Sequence, residues 1–114
     1  MIYLFNTNII PGEAVVRVKK ISREYAAYIA EGAILTSAIG HEATAAAMST
    51  VLGTSVAVNR IFAQPKNGDK AISLKINGRL PEGVILDEDD INKIGYELYL
   101  IEFYSSECVI APKV

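Results

Sequence analysis

Cysteine occurs once in the 114 residues, at Cys108, and histidine once, at His41. A single thiol forms neither an intramolecular disulfide nor a thiolate metal cluster, so the expected compartment is the reducing cytoplasm. With one imidazole and one thiol, a zinc centre and a Cys-His catalytic pair both lack partners; no metal and no other cofactor is expected. A basic excess is missing too: 11 Lys and Arg stand against 13 Asp and Glu, for a net charge of −2. Long nucleic acid is held largely by accumulated positive charge, so it is not an expected partner, and an anionic ligand has to be met by a few placed groups. No apolar run is long enough to span a bilayer. Residues 1–10 are apolar but carry no basic leader and no small-residue cleavage site, and they read as a strand. No linker, repeat or low-complexity stretch divides the chain, so residues 1–114 are expected to form a single domain.

What is present suits a folded core. The apolar fraction of 51% against 21% charged residues excludes a disordered tail, because burial of that many apolar groups offsets the entropy of ordering the chain. After the first strand, Pro11-Gly12 signals a turn, and Val15, Val16 and Val18 mark a second strand over residues 13–21, expected to lie beside the first. Ser22 is a helix N-cap with Glu24 in the first turn, and Tyr25, Ala26, Tyr28 and Ile29 keep helical spacing until Gly32. A short apolar run follows over residues 33–37. Residues 42–52 are alanine-rich, with Glu42 at the positive end and Gly53 at the far end, which predicts a helix packed closely on a sheet or on a second subunit. Residues 56–63 and 71–77 are expected to pair as a hairpin around Asn67-Gly68. Asp87, Glu88, Asp89 and Asp90 open a short helix that stops at Gly95, and residues 96–104 form a last strand. The fold expected from this order is α/β, a mixed β-sheet flanked by helices.

Three places carry candidate chemistry. Gly40 and His41 stand at the start of the alanine-rich helix, where backbone N–H groups without helical partners bind phosphate and an imidazole can give a proton to a leaving oxygen. In Asn77-Gly78-Arg79-Leu80-Pro81-Glu82, the Arg79 fork suits a phosphate, and Glu82 can orient that fork or meet a ribose hydroxyl. Asn6 is a polar group in an apolar strand, and Arg60 adds charge to a pocket or faces water. An isolated histidine at a helix cap is more often structural or solvated, and a lone arginine in a turn is more often a surface ion pair.

Several segments together resemble one family. Tyr3-Leu4-Phe5-Asn6, Ser37-Ala38-Ile39-Gly40-His41-Glu42-Ala43-Thr44, Gly53-Thr54 followed by Asn59-Arg60, and Ile76-Asn77-Gly78-Arg79-Leu80-Pro81-Glu82-Gly83 are similar to the viral and mobile-element type III anti-CRISPR ring nucleases. The resemblance spans nearly the whole chain. It implies cleavage of cyclic tetra-adenylate to linear di-adenylate without metal, which switches off type III CRISPR signalling. Carried over by position, His41, Arg79 and Glu82 are the implied catalytic residues and Asn6 a ligand-facing one; Gly40, Arg60 and Asn77 are also expected at the substrate. Two family serines are replaced: one position holds Ala43, and at the other Thr7 or Asn8 is at hand to contact the ligand. A homodimer with the pocket across its interface is implied, since a substrate with two-fold symmetry suits a C2 protein. The expected setting is cytoplasmic, the host cytoplasm for a viral protein, with no membrane partner. The alternatives are a dimeric module that sequesters the cyclic nucleotide without turnover, a small viral nucleic-acid-binding regulator, and a purely structural dimer.

Overall fold

The computed structural model describes residues 2–6, 15–61, 63, 65–77 and 87–104. Their strands are β1 (Ile2–Phe5), β2 (Val15–Ile21), β3 (Leu35–Ser37), β4 (Lys70–Ile76) and β5 (Tyr96–Tyr104), and their helices are α1 (Arg23–Ala30), α2 (Glu42–Leu52) and α3 (Glu88–Ile94). One five-stranded sheet has the order β2-β5-β4-β1-β3. β1 runs parallel to β3 and to β4, whereas β5 is antiparallel to both β2 and β4. The sheet is therefore mixed, as the order of sequence elements predicts. β4 holds the centre because Ala71, Ile72, Ser73 and Leu74 are buried in succession, the mark of a strand covered on both faces.

All three helices lie against one face. Met48 and Val51 of α2, Ala26 of α1 and Ile91 of α3 pack with Leu4, Ile72, Leu74 and Leu98 of the sheet. Full burial of each large apolar side chain contributes roughly 1.5–3 kcal/mol relative to exposure. The alanines of α2 keep that helix close to the strands: Ala43, Ala45 and Ala47 are buried, and Gly53 ends the helix in the left-handed region at φ 71°. On the opposite face, Phe5, Ala71, Ile101 and Phe103 form a second, smaller cluster with Ala63. Arg23 ties the helix ends together. Its Nε and Nη2 donate to the carbonyls of Val51 and Thr50, each at 3.1 Å, and its Nη1 lies 2.6 Å from the Glu88 carboxylate.

Two expected pairings differ in the structure. The first and second strands are not neighbours, because β5 and β4 lie between β2 and β1. β2 exposes Arg17, Lys19 and Lys20, charges that solvate an edge strand and resist stray pairing, whereas β1 with buried Leu4 and Phe5 takes an interior place. The expected hairpin over residues 56–63 and 71–77 is also absent: residues 56–61 and 63 hold no strand. Their backbone groups go to scattered partners, Val56 N–H to Ser49 Oγ at 2.8 Å and Asn59 N–H to the Ile39 carbonyl at 2.8 Å, and so form no ladder. The Asn67-Gly68 turn does form, but it delivers β4 to β5, with Gly68 N–H donating to the Phe103 carbonyl at 2.9 Å. The expected turn at Pro11-Gly12 and the tail after Tyr104 lie outside the described residues.

On the face away from the helices, the Tyr99 hydroxyl donates to the Glu97 carboxylate, and Lys20 stands 4.0 Å from it. The Tyr99 bond, and then Lys20 and Lys75, hold the Glu97 carboxyl below its ordinary range against desolvation. A depressed folded-state value gives stability that is present above the ordinary carboxylate range and is lost as pH falls through the lowered value. Glu97→Gln is accordingly expected to flatten the acid side of a plot of thermal midpoint against pH, between about pH 3 and 6. An unchanged slope there would remove Glu97 from the acid sensitivity of the fold.

Candidate functional site

Because β1, β3 and β4 are parallel, the chain leaves all three at the same edge of the sheet. Ligands of open α/β sheets bind outside that carboxyl edge. Asn6 follows the last residue of β1, residues 38–40 follow β3, and Asn77 follows β4. The Ala38 N–H donates to the Leu4 carbonyl at 2.9 Å, which keeps the β3 exit beside the β1 exit. There α2 begins. His41 is its N-cap, extended at φ −124° and ψ 125°, and its side chain makes no capping bond. The imidazole is exposed, beside the N–H groups of the first turn of α2 and the positive end of the helix dipole.

Arg60 closes over this start. Its Nε donates to the Gly40 carbonyl at 2.8 Å. A Cβ placed on Gly40 would stand 3.0 Å from Arg60 Cγ, so the missing side chain makes room for the arginine stem. The stem of Arg60, a residue that is exposed overall, fills that room. Two residues that stand in the resembling segments without a role of their own hold the approach. Ser37 Oγ donates to the Ala57 carbonyl at 2.6 Å, and the Asn59 side-chain amide donates to the Ser37 carbonyl at 2.8 Å. The two pairs are 20 and 22 residues apart, so no local pattern reveals them.

Gly40, His41 and Arg60 are thus brought together, with Asn6 at the neighbouring strand exit. Asn6 is exposed just beyond β1, which corrects its reading as a polar group inside an apolar strand; past the end of the ladder its amide meets water. Arg60 lies in an irregular segment and not in a strand, for the reason given above. Asn77 is at the same sheet edge but packs on Gly95: its N–H donates to the Gly95 carbonyl at 2.9 Å, and its Nδ2 stands 3.1 Å from where a Gly95 Cβ would be. Thr7, Asn8, Arg79 and Glu82 lie outside the described residues. A cavity of about 680 Å³ opens at the opposite edge, where Tyr28, Glu31, Leu35, Leu52 and Gly53 line it. None of the described candidate residues lines that cavity.

The fold and this edge define an α/β domain with a mixed five-stranded sheet, helices on one face, and a helix start suited to an anion at the carboxyl edge. The sequence model of the STIV B116-like family matches residues 2–98, and the chain belongs to that family. It is 33% identical to uncharacterized protein 26 of Sulfolobus islandicus filamentous virus (isolate Iceland/Hveragerdi) over 112 residues, covering 94% of this chain and 95% of that protein. It is 36% identical to uncharacterized protein ORF117 of Acidianus two-tailed virus, covering 90% of this chain and 92% of that one. The structure of B116 of Sulfolobus turreted icosahedral virus superposes with a TM-score of 0.76 at 25% identity, covering 89% of this chain and 97% of B116. These relatives are viral proteins. Among the described residues, no helix is long and apolar enough to cross a membrane.

Proposed function

We propose that the protein is a ring nuclease that cleaves cyclic tetra-adenylate to linear di-adenylate and thereby switches off type III CRISPR signalling. The observation that carries this reading is the union of an exposed N-cap His41, the open first turn of α2 and the Arg60 guanidinium at one sheet edge. A proton donor and two sources of positive potential then share the start of α2. The residue pattern around His41, Arg79 and Glu82 supplies the substrate class.

The chemistry follows from the substrate. Every linkage of a cyclic oligoadenylate has a ribose 2′-hydroxyl beside its phosphate, so a ribose held in line makes the attack intramolecular. The 2′-oxygen forms a bond to phosphorus, the bond from phosphorus to the 5′-oxygen breaks, and a 2′,3′-cyclic phosphate remains. The 2′-hydroxyl proton passes to water, while His41 protonates the departing 5′-oxygen. The first turn of α2, Arg60 and Arg79 meet the phosphate charge; Glu82 orients the Arg79 fork or a ribose hydroxyl. Asn6, Thr7, Asn8, Gly40 and Asn77 complete the proposed substrate contacts. Hydrolysis of the cyclic end gives a 3′-phosphate. In this reading the protein acts as a homodimer, each subunit giving one His41 to a pocket across the two-fold axis. Val58 and Ile61, each 43% exposed, stand on either side of Arg60 and offer apolar surface for that contact.

The test is incubation with cyclic tetra-adenylate followed by chromatography. Linear di-adenylate supports the enzyme, whereas intact ring recovered from a stable complex replaces it with a sequestering module. Within the enzyme reading, Arg79→Ala is expected to weaken both binding and turnover, because its partner charge is present in the ground state and grows in the transition state. Charged hydrogen bonds of this kind contribute about 1.5–3 kcal/mol, so affinity should fall about tenfold or more. Isothermal titration beside single-turnover rates checks this. Wild-type values for both would take Arg79 out of the pocket.

A further inference from the structure

Arg60 is exposed, and exposed arginines ordinarily sample many rotamers. Here the stem and the guanidinium are each held. The stem fills the space beside Gly40, and Nε donates to the Gly40 carbonyl at 2.8 Å. That geometry requires the irregular segment before Arg60 to run close along the exit from β3. Three hydrogen bonds keep it there. Ser37 Oγ, itself fixed by the Ile39 N–H at 3.3 Å within the exit, donates to the Ala57 carbonyl at 2.6 Å. Asn59 closes the other side, its N–H donating to the Ile39 carbonyl and its side-chain amide to the Ser37 carbonyl, both at 2.8 Å.

We infer that Asn59 is a positioning residue of the candidate site: its side-chain amide clasps the Ser37 carbonyl so that the next residue, Arg60, is delivered in one orientation onto the start of α2. The inference deepens the reading of this edge as a phosphate site and rests on it for its functional consequence. Holding the stem at Gly40 commits Nε to a protein carbonyl and leaves the two Nη groups for the ligand, so the fork is ordered before the ligand arrives. In this division of roles Arg60 meets the phosphate charge already present in the bound ring, and the charge that grows at the scissile linkage falls to Arg79 and the first turn of α2. Loss of its order therefore acts on KM more than on kcat.

The experiment uses the full chain and three variants, Asn59→Ala, Asn59→Asp and Arg60→Ala. Asn59→Asp keeps the size of the side chain but replaces the donor by an acceptor facing the Ser37 carbonyl, so it separates the hydrogen bond from packing. The first readout is the Arg60 Nε–H resonance and its exchange with water, which needs no ligand. In the wild-type protein it is expected to be distinct and slowly exchanging; in Asn59→Ala and Asn59→Asp it should move to the position of free arginine side chains and exchange about tenfold faster or more. The second readout is cleavage of cyclic tetra-adenylate, with KM raised about tenfold and kcat within about threefold, and with Asn59→Ala adding nothing on the Arg60→Ala background. An unperturbed Nε–H signal in the folded Asn59→Asp protein would overturn the inference, as would a full Asn59 effect in the absence of Arg60. If the wild-type protein neither binds nor cuts the ring, the phosphate reading fails, while the resonance still decides whether Asn59 positions Arg60.

Discussion

His41→Ala is expected to lower the rate of ring cleavage about 10²- to 10⁴-fold while leaving ring affinity nearly unchanged, the range for removing a general acid. The separation of rate from affinity follows from where the imidazole acts. A proton donated to the departing 5′-oxygen stabilises charge that exists only as the bond breaks, so the bound ring gains little from it beforehand. The fold should tolerate the change: the His41 side chain is exposed and caps nothing, and the backbone bond from Ala45 N–H to the His41 carbonyl at 3.0 Å does not depend on it. Single-turnover kinetics beside titration of the uncut ring measure both quantities. Undiminished cleavage by a folded His41→Ala protein would remove the histidine from the mechanism.

A ring with 2′-deoxyribose at the scissile positions is expected to bind and to resist cleavage completely on the timescale of the ribose ring. The reason is chemical. The nucleophile is the substrate's own hydroxyl, held beside its phosphate at an effective concentration that no bound water matches. Removing that one oxygen leaves the phosphates, the bases and the ring symmetry intact for Arg60, Arg79 and the first turn of α2. A binding curve close to that of the ribose ring, with no product, supports intramolecular attack. Equal cutting of both rings would make water or a metal hydroxide the nucleophile, and His41 would then need another role.

The parts of the fold that were legible in the sequence are those written by neighbouring residues. Ser22 accepts from Tyr25 N–H at 3.1 Å, so the cap expected for α1 is the cap observed, and α3 starts within the acidic run expected to open it, with Asp87 accepting from Asp90 N–H at 2.8 Å. Gly53 ends α2, and the last strand spans the residues expected of it. Pairing was less legible because it is fixed by distant partners. Residues 56–61 carry the valines of a strand, yet Ser49, Ser37 and Ile39 take their backbone groups, and those partners lie 7 to 20 positions away in sequence. The placement of β1 between β3 and β4 likewise depends on burial of Leu4 and Phe5 against elements that follow much later. At the site, His41 was visible from its position before an alanine-rich helix. The use of Gly40 was not, since its reason is the stem of Arg60, 20 residues on.

The most direct measurement of the central claim is end-group analysis of the products after cyclic tetra-adenylate has been incubated with the protein in excess EDTA. The account predicts undiminished conversion to linear di-adenylate bearing 2′,3′-cyclic phosphate that passes to 3′-phosphate, because the ring supplies the nucleophile and His41 the acid. An uncut ring, or products ending in 5′-phosphate and a free 3′-hydroxyl, would contradict it.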